Sequence, residues 1–137
     1  MKFIADANLL SEPTKPEPSP QVLEWLRLNE EHFAVTPVIL GELEYGILLL
    51  PSGKRKNQLE VWFEKIRSTV HCLDFDNKAT SSWAQLLAHL KSKGHAMPIK
   101  DSLIAASAIA HNLTVATRNT RDFKNAKVPL INPFETD

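Results

Sequence analysis

Four acidic residues from separated stretches of this chain stand where carboxylates can be gathered: Asp6 in ADANLLSEP, Glu42 in GELEYG, Asp101 in PIKDSLIAASAIA and Asp122 in RNTRDF. Asn8 and Asn119 accompany the first and last of them. Clustered carboxylates repel one another unless a cation lies between them, and their hard oxygen donors select a hard divalent ion. No glycine-rich loop near these residues offers a backbone cradle for phosphate. His32, His71, His89, His95 and His111 lack the spacing of a zinc site such as HExxH, and no serine sits in a GxSxG elbow. Metal-assisted chemistry on a polar substrate is therefore the reading that these side chains favour.

Each residue also has a plain structural reading. Asp6 and Asn8 can end a strand and cap the turn NLLSE, and Asp122 can cap a turn before Phe123. Glu42 can be a solvated helix residue like Glu44. Asp101 can be a first-turn acid favoured by the helix dipole, yet the apolar run SLIAASAIA implies buried neighbours, among which a carboxylate needs a partner. The set carries more weight than any member.

The elements that must position these groups alternate between short β-rich runs and longer helical stretches. KFIA reads as a buried strand ending at Asp6; four prolines in PTKPEPSP then enforce an extended loop. Ser19 and Thr36, each followed by proline, have the cap-then-proline pattern of a helix start, the second helix running to about Leu50. NQLEVWFEKIRS is a further helical pattern, and the preceding Lys54, Arg55 and Lys56 read as a solvated helix start or as a contact for nucleic acid or a partner. Asp76 is placed to cap a long helix that Gly94 stops. HFAVT, VHCLDF, TVAT and VPLIN supply four more strands, with Cys72 expected at a buried strand position. Five strands separated by helices, without hairpin turns, predict an α/β domain with a mainly parallel sheet. In such sheets ligands bind beyond the carboxyl ends of the strands, where Asp6, Thr36 and the segment from Arg118 to Asp122 fall.

The 137 residues suit one domain, spanning 1–137, with a core of ordinary size. Hydrophobic residues at 43% and charged residues at 23% are the balance of a globular chain that stays in solution. The apolar start is cut short by Asp6 and no later stretch approaches a membrane span, so a cytoplasmic location is expected. One cysteine excludes an internal disulfide. Net charge is zero, but residues 1–64 carry six basic and ten acidic side chains and residues 65–137 ten basic and six acidic, −4 against +4. That asymmetry alone says little about a polyanionic partner, because halves of a sequence are not faces of a molecule.

In order and spacing, ADANLLSEP, TPVILGELEYGI, LPSGKRKNQLEVWFE, PIKDSLIAASAIAHNLTVATRN, RDF and VPLINPF resemble the PIN-domain ribonucleases of the VapC and FitB type, the toxin halves of bacterial toxin–antitoxin pairs. The resemblance covers nearly the whole chain. It implies a five-stranded parallel sheet flanked by helices and cleavage of RNA dependent on Mg²⁺ or Mn²⁺. Carried over by motif, Asp6 and Asp101 become the principal metal ligands, Glu42 the acid of the second motif and Asp122 the fourth, with Asn8 and Asn119 supporting. Arg118, Arg121 and Lys100 become candidates for holding RNA phosphates. The family pattern also implies a cognate antitoxin whose peptide occupies a groove near the acids, and a homodimer or toxin–antitoxin hetero-oligomer.

Two departures stand out. Ala7 follows Asp6 where the family usually carries a hydroxyl residue, and Asn119 stands where some relatives place the fourth acid. They motivate an alternative, a PIN-like module that binds RNA or a protein partner without cutting. A receiver or haloacid-dehalogenase-like fold is disfavoured, because DAN lacks the second aspartate of a DxD pair.

Overall fold

A computed structural model describes residues 1–135; residues 136 and 137 of the expected 1–137 span lie outside them. The chain runs β1 (Phe3–Ala5), α1 (Ala7–Leu10), a 3-10 turn (Glu12–Thr14), α2 (Pro20–Asn29), β2 (Phe33–Ala34), α3 (Pro37–Leu48), α4 (Lys54–Thr69), α5 (Asn77–Ser92), α6 (Ile99–His111), β3 (Thr114–Ala116), α7 (Thr120–Phe123) and β4 (Leu130–Ile131). The strands form one sheet in the order β2-β1-β3-β4 with every pairing parallel. Ile4 is central, in register with Ala34 on one side and Val115 on the other. Among the described residues no helix is long and apolar enough to cross a membrane.

The sheet has four strands rather than the expected five. VHCLDF makes only a lone parallel bridge, Val35 to Cys72, in which Val35 N–H donates to His71 O and Leu73 N–H to Val35 O, both at 2.9 Å. Only a few residues separate this bridge from Asp76, which already caps α5 by accepting from Ala79 N–H at 3.0 Å. Cys72 is accordingly half-buried rather than enclosed. The basic run opens a helix, as expected: Lys54, Arg55 and Lys56 form the first turn of α4, behind Gly53 at φ 155°. Arg55 reaches back to donate to Thr14 O at 2.7 Å.

The helix starts follow the capping signals in the sequence. Ser19 accepts from Val22 N–H and Thr36 from Ile39 N–H, each with proline at the next position, so two otherwise orphan donors are satisfied where strand or loop turns into helix. α6 is the most enclosed helix, burying Asp101, Ser102 and Ile104 through Ala108 against the sheet and α5. Its small side chains permit that close approach, and Trp83 Nε1–H of α5 donates to Ser102 Oγ at 2.9 Å across the contact. Ile4, Leu9, Ile39, Ile104, Val115 and Phe123 fill the core beneath the ends of β1 and β3. Asp6 and Thr117 are therefore held by backbone embedded in that core.

Candidate functional site

Asp6 leaves β1 with an extended backbone and caps α1, its Oδ1 accepting from Ala7 N–H at 2.8 Å. Its N–H donates to Ala116 O at 2.9 Å, so the sheet ladder itself fixes the residue. Oδ2 accepts from the hydroxyl of Thr117 at 2.8 Å. Thr117 directly follows β3 and is fully buried; its hydroxyl also accepts from Asn119 N–H at 3.0 Å and from Asn8 Nδ2 at 3.3 Å. Asn8 Nδ2 lies 3.4 Å from Asp6 Oδ2, and Asn8 Oδ1 accepts from Arg118 N–H at 3.2 Å. Asn8 and Asn119 thus stand around the bond between Asp6 and Thr117.

Thr117 is the residue that sequence reasoning missed. A hydroxyl reaches Asp6 from the end of the neighbouring strand, and the only sequence signal for it was a polar residue closing the strand TVAT.

Asp101 stands in the first turn of α6 and, like Asp6, is almost inaccessible, at 6% and 4% exposed. Burial first, and the charges of Asp6, Asp122 and Glu42 with it, push the Asp101 carboxyl up to about 6; Lys100 opposes them. All four sequence-identified acids therefore share one electrostatic neighbourhood. Glu42, half-buried on α3, is raised above the ordinary carboxylate range chiefly by burial and further by Asp6, against the opposing Lys100 ammonium 2.9 Å from its Oε2. Its Oε1 is buried without a hydrogen-bond partner. Asp122, on α7, is exposed and faces the group from the solvent side.

Among the described residues, no three Asp, Glu, His or Cys side chains close into a formed metal cage. The donor chemistry nevertheless suits a hard cation: carboxylate oxygens only, two of them on nearly inaccessible residues, and an unsatisfied acceptor on Glu42. Of the expected phosphate contacts, Lys100 is engaged with Glu42, Arg121 is exposed on α7, and Arg118 is exposed beside the Asp6 cluster.

Two outcomes follow from this electrostatic arrangement. Asp101 binds its proton more tightly in the folded chain, about 6 against 3.8, so folded stability falls as pH rises between those values and stays reduced above them. Asp101→Asn removes the charge at nearly constant shape; thermal unfolding without metal should show Tm at pH 7.5 raised by roughly 3–6 °C and a flatter pH dependence. Thr117→Val has the opposite sign, because it withdraws the donor from a buried carboxylate. Denaturant unfolding should show a loss of about 1–3 kcal/mol, largely restored in Thr117→Ser.

Residues 3–129 match the family model described as PIN domain. The toxin FitB of Neisseria gonorrhoeae is 35% identical over 139 residues, spanning 96% of this chain and 98% of FitB. The VapC ribonuclease Y4jK of Sinorhizobium fredii is 34% identical over 140 residues, spanning 97% and 98%. A solved structure of FitAB bound to an IR36 DNA fragment is similar to this fold, with a TM-score of 0.91 at 33% identity, covering 98% of this chain and 97% of that one. With its parallel sheet, its acids at the strand ends and these relatives, the chain belongs to the PIN domain family.

Proposed function

We propose that this chain is an endoribonuclease dependent on a divalent metal, Mg²⁺ or Mn²⁺, and the toxin component of a toxin–antitoxin pair acting in the cytoplasm. The observation that carries the reading is the shared electrostatic neighbourhood of Asp6, Glu42, Asp101 and Asp122 in a PIN domain similar to a named ribonuclease and a named toxin. Asp6 and Asp101 are the principal metal ligands, with Glu42 and Asp122 completing the acidic group. When bound, the metal would neutralise charge on the scissile phosphate, make hydroxide available as nucleophile near neutral pH and stabilise the departing oxygen.

The chain's own residues supply position. Thr117 and Ala7 N–H lock both oxygens of Asp6, so the carboxylate needs little reorganisation on binding. Burial and the neighbouring acids, which raise Asp101 to about 6 without a cation, would be offset by a bound metal, whereas Glu42 and Lys100 hold each other beside it. Arg118 and Arg121 provide positive charge at the rim of an otherwise acidic site, which an RNA backbone requires.

The partner reading rests on a groove of about 320 Å³ that starts at Asn8 and Glu42 and runs between α3 and α4 over Leu43, Ile47, Leu59 and Trp62. Apolar walls with a carboxylate at one end suit an amphipathic antitoxin peptide that brings a basic side chain to Glu42. Such an occupant would cover the acids and silence the site. The self-association expected from the family, a homodimer or hetero-oligomer with antitoxin, belongs to the same proposal.

Purified chain with Mg²⁺ or Mn²⁺ should cut structured RNA, and Asp6→Asn should lower the rate at least about 100-fold, as should chelation of the metal. Equal cutting by wild type and Asp6→Asn would refute the assignment. A Cβ built on Gly46 meets nothing within 4 Å, so Gly46→Leu adds bulk to the lining of the groove. It should leave RNA cleavage within about twofold while weakening capture by a cognate antitoxin by roughly 100-fold, measured by co-purification and inhibition titration.

A further inference from the structure

Arg118 is fastened at both ends. Its N–H donates to Asn8 Oδ1 at 3.2 Å, one residue beyond the hydroxyl that grips Asp6, while its guanidinium carbon lies 4.6 Å from the ring centroid of Phe134. Phe134 is itself fixed, since its N–H donates to Asn132 Oδ1 at 3.0 Å and its ring packs against the core. A turn near the end of the chain thus reaches back to hold an arginine beside the acidic cluster.

The contrast with Arg67 shows what is unusual here. Arg67 also lies over an aromatic ring, Phe63 at 5.7 Å, but Glu64 takes up its guanidinium through contacts of 2.7 and 2.8 Å. Among the described residues no carboxylate forms an ion pair with Arg118. Glu12, which feels the Arg118 charge, already pairs with Lys15 at 3.0 Å and accepts from Ser19 N–H at 2.8 Å. An aromatic ring engages only a face of the guanidinium and leaves the in-plane N–H donors open, the edge that grips a phosphate bidentately.

We infer that Phe134 is a positioning residue that holds the Arg118 guanidinium with its donor edge at the rim of the acidic site, ready for a non-scissile backbone phosphate of the substrate. The inference rests on the ribonuclease reading and extends it to a specific phosphate contact. A cation pinned by a ring has lost its rotamer freedom before RNA arrives, so the contact acts on substrate binding rather than on the bond-breaking step.

The test compares wild type, Arg118→Ala, Phe134→Leu, Phe134→Trp and the Arg118→Ala/Phe134→Leu double variant in RNA cleavage. RNA binding across a salt series is measured in an Asp6→Asn background. Arg118→Ala should raise KM about 5–20-fold and reduce the salt slope by about 0.7. Phe134→Leu keeps the apolar bulk but not the aromatic face; it should raise KM about 3–5-fold with kcat unchanged, Phe134→Trp should match wild type, and the double variant should match Arg118→Ala. Additive effects in the double variant, or a lowered Tm in Phe134→Leu with unchanged KM, would overturn the inference. A wild-type chain that neither cuts nor binds RNA would instead overturn the ribonuclease reading.

Discussion

Like charges crowded into a poorly hydrated corner dominate this molecule. Asp6 and Asp101 are nearly inaccessible, and the charge of Asp6 raises the free energy of ionising Asp101. A fold can sustain such a pair only where rigid backbone prevents the groups from drifting apart. Here the ladder bond from Asp6 N–H to Ala116 O, the hydroxyl of Thr117 and the enclosed α6 supply that rigidity. The Lys100 ammonium on Glu42 relieves part of the repulsion from inside the chain. A divalent cation would relieve far more, so ion binding and folding stability are coupled in this region.

The parts of this design that depend on neighbouring residues were legible in the sequence. Ser19–Pro20, Thr36–Pro37 and Asp76 mark helix starts because a cap and its orphan donor lie three residues apart. Asp6, Glu42, Asp101 and Asp122 were legible through their placement against strand ends and an apolar helix, and the PIN resemblance assembled them into one group. What the sequence concealed were pairings between distant segments. Thr117 reaches Asp6 across 111 positions, and no local pattern says that its hydroxyl meets that carboxylate. Lys100 looked like a phosphate ligand but is spoken for by Glu42, a contact set by how α3 and α6 cross.

The missing fifth strand has the same origin. VHCLDF has strand composition, but composition does not say how many residues can pair before the chain must turn into α5. By contrast, the basic run at 54–56 opens α4 as its composition suggested, and only the tie from Arg55 to Thr14 O was hidden. The four strands that do form are only two or three residues long. The sheet is therefore less a surface than a clamp that aligns the ends of β1 and β3.

The pairing of β1 with β3 also governs when the site can exist. Residues 3–5 must find residues 114–116 before Asp6 meets Thr117, and α7 with Asp122 comes later still in the chain. Loop closure over such separations is slow, and during synthesis it must wait until residues 114–123 have left the ribosome. Topology thus acts as a timer: a partly made chain carries Asp6, Glu42 and even Asp101, yet has no assembled acidic centre until β3 and α7 arrive.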